Sequence, residues 1–143
     1  MKLRRLMAIG MTVALTATMF SGVSVYAENS DPEPFKIGFP WDTANTDPTW
    51  ISIYNNVKAA VESAGGELVN VVTDNSADGL IDNISELISR DVDGILFMPA
   101  SDSMLPAVDA MCADAGVYWG TMFRTISDDD IREAMYDSEW FAG

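Results

Sequence analysis

The sequence predicts an α/β fold built on an open, parallel sheet of βαβ units. Three observations predict it. Apolar runs begin near Ile37, Leu68, Ile95 and Val117, at separations of 31, 27 and 22 residues. The stretches between them carry apolar residues at helical spacing, and Gly or Pro marks most of the joins. Strand-helix-strand units of that length form right-handed crossovers, which set successive strands parallel.

Each element has its own local reason. Lys36 to Pro40 is a short apolar strand, and Asp47-Pro48 opens a helix whose Trp50, Ile53, Tyr54, Val57, Ala60, Val61 and Ala64 keep a 3.6-residue period. Gly65-Gly66 stops it. Glu67 to Thr73 is a second strand, and Leu80, Ile81, Ile84, Leu87 and Ile88 mark a second helix. Gly94 to Met98 is a third strand without a polar face. Pro99 to Asp102 turns the chain into a third helix, with Met104, Val108, Met111, Cys112 and Ala115 on one face and Gly116 at its end. Pro106 is tolerated there because it falls in the first turn. Val117 to Met122 is the fourth strand. Ser127 with Asp130 resembles a capping box for a last helix through Met135 and Tyr136.

Residues 1–27 stand apart as a secretory signal. Lys2, Arg4 and Arg5 form a positive start, Leu6 to Phe20 an uncharged apolar run, and Val25-Tyr26-Ala27 a cleavage site. A membrane anchor is disfavoured, because the run falls short of the ~20 residues a span needs. There is no Cys at the cleavage point for lipid attachment. Residues 28–34 (ENSDPEP) read as a flexible leader, and 35–143 as a single α/β domain.

Export predicts a periplasmic protein in a cell with two membranes and a secreted one otherwise. Removing the signal leaves five basic residues against 22 acidic ones, a net charge of −17. Nucleic acid and anionic membrane surfaces are thereby disfavoured as partners. Cys112 is the only cysteine, which excludes an intrachain disulfide, and its neighbours suggest a buried, inert position. The absence of His removes the commonest general base and zinc ligand, so neither a catalytic triad nor a metal site is expected.

A parallel sheet of this kind puts the loops after its strands along one edge, where such sheets bind ligands. That edge holds Trp41 to Asp47, Asp74 to Asp78, Pro99 to Ser103 and Phe123 to Thr125. No glycine lies between Gly38 and Gly65, and neither phosphate-binding glycine motif occurs, so nucleotide cofactors are not expected. The loops offer Trp rings, carboxylates, amides and one Arg. Sugars stack their C–H faces on Trp and exchange hydrogen bonds with carboxylates, amides and guanidinium groups.

Several segments together carry a family resemblance. They are K-I-G-F with N-x-D-P-x-W, then D-N-S-A-D after strand two, I-S-R-D-V-D-G-I-L-F-M-P-A-S-D-S before helix three, and A-D-A-G-V with the fourth strand and Arg124. In this order they resemble the first lobe of type I periplasmic sugar-binding proteins, the substrate-binding components of bacterial ABC importers related to ribose and galactose binders. The resemblance spans residues 35–126. It implies a Rossmann-like lobe that closes with a second lobe on one sugar, transporter membrane subunits and a chemoreceptor as partners, and no catalysis. It also implies ligand contact by Asp47, by Trp50 as stacking aromatic, and by Arg124. Trp41, Asp42 and Asn45 join these from their place on the first loop. The sequence departs from the family at Phe123, where Asp or Asn is common, at Met98, where some members carry Asn, and at Thr46, an apparent insertion.

Plainer roles compete at each position. Asp47 before Pro48 is a good helix cap, Trp50 lies on the helical apolar stripe, and Asn45 suits a turn. Trp41 and Asp42 leave the end of a strand, where burial is hard to arrange. Arg124 suits a surface ion pair as well as a site, and Trp119 and Trp140 suit packing. Because family members are more than twice as long, the chain is expected to be a fragment lacking the second lobe. Two other functions are weighed against the importer component: an exported sensory binder of the same fold, and an exported glycosidase using two of Asp42, Asp47 and Asp74.

Overall fold

The computed structural model describes residues 34–143. The expected secretory signal (1–27) and the expected leader up to residue 33 lie outside the described residues. The elements follow in strict alternation: β1 (Lys36–Pro40), α1 (Pro48–Ser63), β2 (Glu67–Val71), α2 (Ala77–Ser89), β3 (Gly94–Phe97), a 3-10 turn (Asp102–Met104), α3 (Leu105–Ala115), β4 (Tyr118–Thr121) and α4 (Asp129–Tyr136). The four strands form one sheet in the order β2-β1-β3-β4, with every pair parallel. The predicted α/β fold is therefore the observed one.

The chain moves one way from β1 to β2 and the other way from β2 onward. Right-handed crossovers then put α1 on one face of the sheet and α2 and α3 on the other. Side-chain alternation along β1 agrees. The Phe39 ring stacks at 6.2 Å on Tyr54 of α1, whereas a Cβ at the neighbouring Gly38 would stand only 3.0 Å from Leu87 of α2. Glycine at 38 thus lets α2 approach the sheet closely.

The main core fills the α2 and α3 face. Leu80, Ile84, Leu87, Ile95, Phe97, Leu105, Val108, Cys112 and Trp119 are buried in one cluster. Burying a side chain of this kind contributes about 1.5–3 kcal/mol. Trp119 satisfies its indole N–H on Asp109 Oδ1 at 2.8 Å, so it is buried without an orphan donor. Beyond β4, the Trp119 N–H donates to Trp140 O and the Ala142 N–H to Trp119 O, which adds the last residues to the sheet edge.

On the opposite face α1 leaves much of the sheet open. None of its residues is fully buried, and Ala60 and Ala64, expected on the packed stripe, are exposed. Ile37, Val61, Leu96, Tyr118 and Gly120 line an open apolar groove of about 300 Å³ over β3 and β4. Parallel sheets are normally covered on both faces.

The ends of three strands and one cap depart from expectation, β3 stopping at Phe97 rather than Met98. β2 ends at Val71 rather than Thr73, because Val72 and Thr73 already belong to the bend that enters α2. β4 is shorter at both ends than Val117 to Met122. The cap of α4 is Asp128, whose side chain accepts from the Ile131 N–H at 3.0 Å, and not Ser127. Ser127 is drawn elsewhere: its N–H and hydroxyl both donate to Asp102 Oδ2, each at 2.7 Å. A charged acceptor across the sheet edge outcompetes the local box.

Candidate functional site

β1 lies at the topological switch, with β2 on one side and β3 on the other. It pairs with β2 over five residues but with β3 only through Ile37 and Gly38. Pro40, which lacks an N–H, falls beyond the last β1–β3 pair and leaves no ladder bond unmade. The strands therefore part toward their carboxyl ends, and a cavity of about 170 Å³ opens there.

Trp41, Asp42, Asn45 and Trp50 line this cavity, together with Asn75 after β2 and Met98 after β3. Three loops thus converge at the position where open α/β sheets bind ligands. Four of the six sequence-predicted site residues are brought together. Asp47 and Arg124 do not line the cavity.

Trp41 is only 4% exposed, contrary to the expectation that burial would be hard to arrange at a strand end. The reason is aromatic convergence. Trp41 stacks on Phe39 at 4.9 Å and 13°, and Trp50 leans on it from α1 at 5.0 Å and 50°. Its backbone is held as well, since the Trp41 N–H donates to Val71 O at 3.0 Å. Asn70 clamps the same point, with its Nδ2 donating to Phe39 O at 2.8 Å and Trp41 O at 3.3 Å. Neither indole N–H of this pair meets a protein acceptor among the described residues, so each is a donor available to a ligand.

The loop from 42 to 47 is shaped by its own side chains. Asp42 Oδ1 accepts from the Ala44 N–H at 3.0 Å, Asn45 Oδ1 from the Asp47 N–H at 2.9 Å, and Asp47 Oδ1 from the Thr49 N–H at 2.7 Å. Such Asx bonds define turns without long-range contacts. Asn45 therefore makes the turn and still lines the cavity, with no partner for its amide donors among the described residues. Asp47 caps α1.

The loop after β2 follows a similar logic. Asp74 Oδ1 accepts from the N–H and hydroxyl of Ser76, and these bonds hold its carboxyl below the ordinary carboxylate value. Ser76 in turn caps α2 through the Gly79 N–H at 3.0 Å. A Cβ at Gly79 would meet Asp74 Oδ1 at 2.4 Å, so a larger residue there would displace the Asp74 carboxylate from its bonds to Ser76. Between them Asn75 adopts φ 60°, a left-handed conformation that Asn tolerates better than most residues. Its place in the cavity was missed in the sequence; the available signal was an Asn within a tight Asp-Asn-Ser turn.

Arg124 stands on the same sheet edge after β4. Its Nη1 donates to Pro99 O at 3.0 Å and Ala100 O at 2.6 Å, so it braces the loop after β3 rather than forming a surface ion pair. The other guanidinium N–H groups make no hydrogen bond among the described residues. Asp102 on that loop accepts from Ser127 and from the Asp128 N–H at 3.1 Å, which holds its carboxyl below the ordinary range. Phe123 is 63% exposed and has φ 62°, an uncommon backbone conformation for an aromatic residue. Among the described residues no cluster of His, Cys, Asp or Glu could hold a metal ion.

No family model and no curated protein matches the sequence. Solved structures do match the fold. An ABC transporter solute binding protein from Mycobacterium smegmatis with bound glycerol superposes with a TM-score of 0.58 at 21% identity, covering 66% of this chain and 33% of that one. A periplasmic one from Actinobacillus succinogenes with bound D-allose gives 0.58 at 18% identity, covering 70% and 35%. Another, from Clostridium phytofermentans with bound beta-D-glucose, gives 0.56 at 19% identity, covering 67% and 29%. The chain thus has the α/β fold of a lobe of these solute-binding proteins and spans about a third of their length. They are transport proteins rather than enzymes.

Proposed function

We propose that this chain supplies the first lobe of an exported sugar-binding protein that serves an ABC-type carbohydrate importer. One observation carries the reading. Two indoles, a carboxylate and two amides converge in a cavity at the carboxyl ends of β1, β2 and β3. Trp41 and Trp50 supply the apolar surface, Asp42 accepts hydroxyl protons, and Asn45 and Asn75 offer amides. Asp47 and Arg124 act at one remove, through the α1 cap and the brace between loops, with Arg124 keeping donors for a ligand above the edge. The role is capture and delivery without catalysis, in the periplasm or outside the cell, with transporter membrane subunits as partners. The bound sugars of the similar structures support a monosaccharide or polyol as the cargo class.

A single wall leaves much of a sugar in water, whereas ordinary pockets bury most of their ligand. Affinity of the isolated chain is therefore expected near ~1 mM, or about 4 kcal/mol. The test is a titration of intrinsic Trp fluorescence with glycerol, myo-inositol, D-allose, D-glucose and L-arabinose. Saturable quenching by one of them, lost in Trp50→Ala, supports the reading. Turnover of an aryl glycoside that disappears in Asp42→Asn would replace it with an enzyme.

A further inference from the structure

The cavity has a neighbour. A second one, of about 290 Å³, lies between the 41–45 loop and the first turns of α1. It shares Trp41, Asp42, Asn45 and Trp50 with the first and adds Thr43, Ile51, Tyr54 and Asn55. Trp50 borders both.

The lining repeats the chemistry of the first cavity. Trp50 and Tyr54 give aromatic surface, and Ile51, 45% exposed, extends it. The Thr43 hydroxyl, the Tyr54 hydroxyl and the Asn55 amide make no hydrogen bond within the described residues, so polar groups without internal partners surround the rings. The helix that presents Trp50, Ile51, Tyr54 and Asn55 has no fully buried residue, so its stripe is not consumed by core packing. At about 170 Å³ the first cavity is smaller than ordinary small-molecule pockets, which begin near ~300 Å³. The two cavities, which share four lining residues, together enter that range.

We propose that the two cavities are adjoining subsites for two linked sugar units, so that the ligand class is a disaccharide with one unit on each side of Trp50. This rests on the sugar-binding reading above and goes beyond it. Thr43, Tyr54 and Asn55 then belong to the outer subsite alone, and their loss affects only the second unit.

The experiment titrates the chain calorimetrically with D-glucose, maltose, cellobiose, trehalose and lactose, and repeats the series with Asn55→Ala and Thr43→Ala, both surface changes. At least one disaccharide is expected to bind about tenfold tighter than glucose, the equivalent of ~1.4 kcal/mol. The two variants should bring that disaccharide down toward the glucose value and leave glucose itself unchanged. Glucose binding with no disaccharide preference, or a preference that survives both variants, overturns the second subsite and leaves the sugar reading standing. Failure of all these sugars, and of the five ligands of the fluorescence titration, to bind overturns both.

Discussion

Asp47 separates the scaffold of the site from its contacts, and Asp47→Ala tests that separation. Its Oδ1 accepts the Thr49 N–H at 2.7 Å, and the preceding position in the helix, Pro48, has no N–H to satisfy. The Ile51 N–H is already met by Asp47 O at 3.1 Å. The substitution therefore leaves one first-turn donor to water, a loss of about 1 kcal/mol of the roughly 5–15 kcal/mol that hold a domain together. In a domain of this size that lowers Tm by about 5 °C. Thermal unfolding followed by far-UV circular dichroism reads the shift, and Asp47→Ser, which keeps a capping oxygen, should recover most of it. Sugar affinity should change little in either variant, because Asp47 lines neither cavity. An unchanged Tm together with abolished sugar binding would refute this reasoning and assign the carboxylate to the ligand.

Three further outcomes follow from the same geometry. Asn70→Val removes the donor that clamps Phe39 O and Trp41 O, at ~1 kcal/mol per bond; a lower urea midpoint and faster hydrogen exchange at the Trp41 amide are expected, and neither would change if Asn70 were idle. Asp74 and Asp102 sit below their ordinary value of 3.8 because serine hydrogen bonds favour the charged form. The unfolded chain binds those protons more readily, so their contribution is intact above 3.8 and is lost as pH falls through the depressed values. Asp74→Asn with Asp102→Asn should flatten the acid limb of stability against pH, and an unaltered slope would refute the assignment. Burial, with Asp109 nearby, pushes the Cys112 thiol from 9.0 up to about 12. Dithionitrobenzoate should accordingly leave the native protein unlabelled at pH 8 and react at once in guanidinium, and the thiol's contribution to stability should fade only as pH rises from 9.0 toward 12.

What was legible in the sequence was what depends on neighbours in the chain. The period of α2, the glycine stops and the uninterrupted apolar run of β3 lead directly to the sheet, and the place of the loop after β1 at the carboxyl edge of that sheet follows from them. Features fixed by distant residues were not legible. Ser127 looks like a cap until Asp102, 25 residues earlier, takes both of its donors. Trp41 looks exposed until Phe39 and Trp50 pack against it, with Tyr54 behind Phe39. Asn70 left a trace, as an amide inside the otherwise apolar run LVNVV, but two of its three carbonyl partners, Phe39 and Trp41, lie 31 and 29 residues earlier. Arg124 was placed on the correct edge, while its attachment to the Pro99 and Ala100 carbonyls depends on how closely two loops approach.

The loops after β3 and β4 are stitched to each other by Arg124 on one side and by Asp102 with Ser127 on the other. The loop after β1 has no such cross-ties between Thr43 and Thr46 among the described residues; its bonds reach only two or three residues along the chain. One half of the rim is thus a fixed jaw and the other an exchangeable insert. Apart from Asn45, whose Oδ1 holds the Asp47 N–H, residues 43–46 can be replaced without loosening the sheet or the opposing loops, so the lining of this end of the sheet can change through a few codons in one place.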